Sequence, residues 1–281
     1  MPVRLNSARL RFVFLLPALC LVCFGDELAE KGREIFKQNQ RAIVTVQLVL
    51  KSKFSMRGIG GQSNESKRDV TGTVVDASGL TILSLSGIEP GDMMQNFFGD
   101  AGDDDPKFKM ETELGDVKIL LEDGAELPAE VVLRDKDLDL AFIRPKTKPA
   151  TPMPSLDLAN SGQAQVLDQV ITLNRLGQAA NRTFSASVER ISAVVRTPRL
   201  FYIPDSTMTT TGLGCPAFTL DGKVLGIFVM RAVKAKGGGG MFGMFNFQAD
   251  NLTTRILPAD QILKAARQAP EVKPESKEEK K

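Results

Sequence analysis

Apolar and polar positions alternate with a period of two in many short runs along this chain, and β-branched residues are common inside them. That is the signature of half-buried strands. A first set covers residues 42–50, 70–76, 80–85, 117–122, 128–133 and 140–144, and a second covers 166–173, 183–195, 200–203, 217–220, 224–231 and 244–248. Asp123-Gly124 and Asp221-Gly222 are hairpin turn signals. Residues 51–67 are Gly/Ser-rich and basic and read as a connection, while 146–154, with Pro149, Pro152 and Pro154, read as a linker between the two sets. Helical spacing is confined to 26–40, with Leu28, Ile35 and Phe36 on one side, and to 258–268 near the end. The class expected is all-β, a barrel or sandwich. Two β-barrels joined by a crossing segment are the simplest architecture. Barrel one would span about 41–145, the linker 146–156, barrel two 157–257 and a packing helix 258–268. Residues 270–281, almost all Pro, Glu and Lys, are expected to be disordered.

The N-terminal segment changes the charge picture. Arg4, Arg9 and Arg11 precede an apolar run over 12–24 that ends in Cys23 and Gly25, the layout of a secretory signal peptide covering 1–25. A retained membrane anchor is the rival reading, although about 20 apolar residues are needed to span a bilayer. Cleavage leaves 33 basic and 34 acidic residues and a net charge of −1, so the formal +2 carries no message about nucleic acid. No membrane span would remain, and the destination would be the periplasm or the exterior. Cys20 and Cys23 leave with the signal, and Cys215 alone stays, which rules out an internal disulfide. Processing as a lipoprotein is a weaker alternative, because small residues do not precede either cysteine.

Composition excludes whole chemistries. The 281 residues include no histidine and no tryptophan, and one tyrosine. Without imidazole there is no Ser-His-Asp or Cys-His pair and no HExxH zinc site. Few aromatic rings are left for stacking on nucleic acid.

Three segments nevertheless carry a resemblance. Residues 72–88 (GTVVDASGLTILSLSGI), 117–145 (VKILLEDGAELPAEVVLRDKDLDLAFIRP) and 211–226 (TGLGCPAFTLDGKVLG) resemble, in order and spacing, the HtrA/Deg branch of trypsin-like serine proteases. The likeness runs from about Glu34 to Gln268, and no PDZ-like segment is seen after it. It implies the double β-barrel of that family. Asp139, in Asp139-Leu140-Ala141, matches the triad aspartate; Ser86 stands where the family has its histidine, and Leu213 where it has its nucleophilic serine. The oxyanion loop becomes Thr211, Gly212, Leu213, Gly214 and Cys215, with Thr and Cys in place of two glycines. Leu213 has no atom that can attack a carbonyl, and losing a triad serine costs on the order of 10⁶ in turnover in a subtilisin-type enzyme. Cys215 is two residues out of register for a nucleophile and has no His partner. Ser86 and Asp139 could still hydrogen-bond as a relic of the triad.

Two further groups invite a role. The Met/Phe clusters Met93, Met94, Phe97, Phe98 and Met241, Phe242, Met244, Phe245 suit either adaptable peptide contacts or closure of the barrel mouths. The acidic run Asp100, Asp103, Asp104, Asp105 lacks EF-hand spacing and reads as a solvated loop, so no metal and no cofactor is expected. The resemblance and its missing triad groups together lead to the expectation of an exported pseudoprotease that binds peptide or unfolded protein segments or acts as a scaffold. An active serine- or cysteine-type endopeptidase with a non-standard group is one alternative. A structural subunit, in a homo-oligomer or paired with an active protease relative, is another.

Overall fold

The computed structural model describes residues 27–56, 59–90, 108–205, 212–232 and 252–271. The signal-like segment, both Met/Phe clusters, the acidic run, Thr211, the strand expected at 244–248 and residues 272–281 lie outside them.

The described chain is mostly β, and its strands close into two six-stranded barrels. Barrel one is built from β1 (Ile43–Met56), β2 (Ile59–Val74), β3 (Thr81–Ser84), β4 (Phe108–Leu120), β5 (Glu126–Asp135) and β6 (Leu140–Pro145), in the order β1-β2-β3-β6-β5-β4. Barrel two is built from β7 (Gln169–Arg175), β8 (Phe184–Val195), β9 (Phe201–Pro204), β10 (Pro216–Thr219), β11 (Val224–Ala232) and β12 (Leu252–Pro258), in the order β10-β11-β12-β9-β8-β7. All pairings between these strands are antiparallel. The all-β double barrel expected from the alternation is the fold observed.

Residues 51–56 and 59–67 are strand and not the connection expected over 51–67. They extend β1 and β2 into a long hairpin, in register from Ile43↔Thr73 out to Lys53↔Ser63, with β4 on the other side of β1. The outer part is exposed at Lys51, Lys53 and residues 63–67, so burial does not hold it. Backbone pairing on both edges of β1 does, with Lys51 facing Glu65 on one neighbour and Glu113 on the other, and Lys53 facing Glu111. Opposite charges across a ladder stabilise it by a few tenths of a kcal/mol to about 1 kcal/mol each. An alternation of apolar residues is not needed where pairing supplies the order.

Helix α1 (Glu27–Asn39) lays Leu28, Ile35 and Phe36 on the apolar layer between the barrels, where barrel one contributes Ile43, Ile82 and Phe142 and barrel two contributes Leu173, Phe218 and Val229. α3 (Ala259–Ala266) adds Ile262 and Ala265 to the same layer. Each barrel also has its own interior, around Val46, Leu48 and Ile119 in the first and around Tyr202, Leu225 and Phe228 in the second. The barrels are thus fused by a shared core, and polar groups at their seam are held at fixed distances. Among the described residues, no helix is long and apolar enough to cross a membrane.

Candidate functional site at the seam of the barrels

The seam is organised around one carboxylate. β3 ends at Ser84, and the short helix α2 (Leu85–Ile88) follows, which brings Ser84 and Ser86 under the turn that precedes β6. Asp139 closes that turn with φ 60°, a left-handed conformation that aspartate tolerates better than most side chains. Its backbone carbonyl accepts the Leu85 N–H at 3.0 Å. Its carboxylate accepts four hydrogen bonds: Ser84 Oγ at 2.6 Å and the Met230 N–H at 2.8 Å on Oδ2, and the Ser86 N–H and Ser86 Oγ, both at 2.7 Å, on Oδ1. Three of these donors come from barrel one and the fourth from β11 of barrel two. Asp139 is 6% exposed, and burial pushes its carboxyl above the ordinary value while the serine and amide donors pull the other way.

The loop that leads into β10 lies against β2. Gly214 has φ 88°, and a Cβ there would stand only 2.3 Å from the Thr71 carbonyl oxygen, so no other residue fits without moving backbone. The Gly214 N–H donates to the Phe228 carbonyl at 2.8 Å, and the Gly214 carbonyl accepts Thr73 Oγ at 2.7 Å across the seam. Gly212, Leu213 and Cys215 are all buried. Burial pushes the Cys215 thiol far above its ordinary range, with a hydrogen bond from Thr71 opposing only part of the effect. A buried neutral thiol is a weak nucleophile. Leu213 carries a purely apolar side chain, 3% exposed.

Beside Asp139 a cavity of about 450 Å³ opens between the barrels. Ser86 and Asp139 reach its wall; Leu213 and Cys215 do not line it. Its charged lining includes Arg199, Arg231 and Arg255, and its apolar lining includes Leu200, Phe201 and Leu257. Of the positions singled out in the sequence, the structure therefore joins Ser86 to Asp139 by direct hydrogen bonds and places Gly212 to Cys215 in a separate buried loop. Sequence reasoning missed Ser84, the Met230 amide and the arginines. A lone serine inside the apolar run TILSL and a lone arginine inside TTRILP were the signals available. Among the described residues, no cluster of ligating side chains fits a metal ion.

The family model of the trypsin-like peptidase domain matches residues 70–227, more than half of the chain; it takes in Ser84, Ser86, Asp139 and the loop at 212–215 and stops before Met230, Arg231 and β12. Two relatives match as well. One, the "Probable periplasmic serine endoprotease DegP-like" of Halomonas elongata, is 33% identical over 117 residues, 40% of this chain and 23% of that protein. The other, the "Putative protease Do-like 14" of Arabidopsis thaliana, is 27% identical over 175 residues, 60% of this chain and 37% of that protein. The match thus spans less than two fifths of either relative's own length. With two closed barrels, a buried aspartate at their seam and these matches, the chain belongs to the trypsin-like peptidase domain family, on its HtrA/Deg side.

Proposed function

We propose that this protein is a catalytically inactive member of the family, exported from the cytoplasm, that binds extended peptide or unfolded protein segments. The observation that carries the reading is the bonding of Asp139. Where the resemblance puts an imidazole, the Ser86 hydroxyl and amide occupy one carboxylate oxygen at 2.7 Å each. A chain with no histidine has no group here that accepts a proton from a nucleophile and returns it to a leaving amine near pH 7. A serine hydroxyl is neither a useful base nor a useful acid there. Asp139 does not substitute for the missing base, because its lone pairs are taken up by donors and a carboxylate is too weak a base to ionise an alcohol. Leu213, at the place of the nucleophile, has no atom to attack with.

What the fold retains is a shaped seam. The cavity beside Asp139 combines apolar walls with charged groups, the composition of a recognition site. Export is supported by the basic and apolar layout of residues 1–25 and by the periplasmic relative. The test is incubation of the purified protein with unfolded casein and with a fluorophosphonate probe. Neither cleavage nor labelling is expected, while casein should be retained by the immobilised protein. Cleavage that disappears in Asp139→Ala would overturn the reading.

A further inference from the structure

Arg255 sits in β12 at the floor of the seam cavity, 5% exposed. Its guanidinium lies 5.2 Å from the centre of the Phe201 ring, and Nη2 reaches only the Asp137 carbonyl, at 3.4 Å. Nε is buried with no hydrogen-bond partner. A charged group taken out of water needs an opposite charge or a full set of acceptors, and one long bond to a carbonyl gives neither. Burial and the neighbouring Arg231 both disfavour the charged form, Asp139 favours it, and Arg199 opposes it again. Asp139 is unavailable as a direct partner because its carboxylate already serves Ser84, Ser86 and Met230.

The rest of the charged lining is Lys136, Asp137 and Glu89, besides Asp139. Glu89 is held by Arg134 at 2.6 Å. Among the described residues, no ion pair joins Arg199, Arg231 or Arg255 to a carboxylate, Asp137 and Asp139 included; Arg199 and Arg231 are exposed, and Arg255 is buried. Three guanidiniums thus converge on one concave space, the innermost with an idle N–H. Planar guanidiniums match a carboxylate through paired N–H donors, and a bound anion would relieve both the orphaned Nε and the mutual repulsion.

We propose that this cavity is an anion subsite in which Arg255, Arg231 and Arg199 receive the carboxylate of a glutamate or aspartate side chain of an extended peptide. The assignment to a peptide rests on the binding function proposed above. The anion chemistry does not. The apolar lining from Leu200, Phe201 and Leu257 suits the methylene stem of such a residue, and about 450 Å³ exceeds what a lone carboxylate fills.

Calorimetric titration of the full chain with the peptide Ala-Ala-Glu-Ala-Ala, blocked at both ends, and with its Gln counterpart tests the proposal. Sodium glutarate and inorganic phosphate serve as free anions, with thermal unfolding as a second readout. The Glu peptide is expected to bind at least tenfold more tightly than the Gln peptide. That preference should vanish in Arg255→Gln and shrink in Arg231→Gln, whose exposed position leaves folding intact should the Arg255 variant fail to fold. Equal binding of the two peptides would overturn the anion subsite and leave the peptide-binding function standing. If glutarate or phosphate raises the unfolding temperature of the wild type but not of Arg231→Gln, and neither peptide binds, the anion subsite stands with a free anion as ligand and the peptide function falls. No binding of any of the four probes would overturn both.

Discussion

Replacing Gly214 with alanine separates two costs that usually arrive together. The residue has φ 88°, and its added Cβ would meet the Thr71 carbonyl oxygen at 2.3 Å and carbon at 3.3 Å. The left-handed conformation alone costs a non-glycine residue about 1–2 kcal/mol. Overpacking adds about 1–3 kcal/mol when the neighbour cannot yield, and Thr71 is held in β2 by its pairing with Thr45 of β1. Nor can Gly214 easily retreat, since its N–H is bonded to Phe228 and its carbonyl to Thr73. The expected loss is about 2–5 kcal/mol, a fall in unfolding temperature of roughly 4–20 °C for a domain of this size. Gly222→Ala is the control. Its φ is 79°, yet nothing stands within 4 Å of its Cβ, so it carries the conformational cost of about 1–2 kcal/mol alone. Urea unfolding followed by far-ultraviolet circular dichroism reads both variants. Equal losses in the two would show that the contact with Thr71 is not tight and that the loop moves freely off β2.

Asp139→Asn should destabilise the protein by about 1–3 kcal/mol, because an amide turns an N–H₂ toward donors and leaves at least one of them, such as the buried Met230 N–H, without an acceptor. The pH dependence has a definite sign. Burial raises the folded-state pKa of Asp139, so its stabilising contribution is complete below the ordinary carboxylate pKa and declines as pH rises from there toward the folded value. The variant cannot titrate, and the gap between the two proteins should narrow from pH 3.5 upward in urea melts; a widening gap would refute the assignment. Cys215 should resist a thiol reagent such as 5,5′-dithiobis(2-nitrobenzoate) at pH 8 in the folded protein and react fully in 6 M urea, since it is 0% exposed and its pKa is raised by burial. Rapid stoichiometric reaction of the folded protein would contradict its placement.

Most strands were legible because one face of each is buried, and burial writes a period of two into the sequence. β1 is an example, with Val46, Leu48 and Leu50 buried and Gln47 and Val49 between them only half-buried, whereas β6 and β11 are buried at nearly every position and show as short continuous apolar runs. The long hairpin was illegible for the opposite reason. Its outer strands are ordered by backbone ladders and facing charges, and KSKFSMRGIGGQSNESK looks like a loop when no partner strand is in view. β12 is not legible either, because Thr253, Thr254 and Arg255 stand together between Leu252 and Ile256 and leave no alternation to read. The same arginine is what gives the seam cavity its unbalanced charge.

By itself the sequence determined the all-β class, the kinship with HtrA/Deg proteases and the absence of any imidazole. These follow from local periodicity, motif spacing and a count, none of which depends on distance in space. Tertiary structure alone decided which groups surround Asp139. Ser84, Ser86 and Met230 are brought to one carboxylate only when β3, α2 and β11 meet at the seam, and Arg199, Arg231 and Arg255 converge only when β11 and β12 pair beside the segment that leads into β9. Hydrogen bonds and electrostatic fields act through space over a few ångströms, whereas these residues are separated along the chain by tens of positions. The residues at the positions that the resemblance points to can be named from the sequence; that Asp139 is fully engaged while Arg255 nearby is not is a property of the fold.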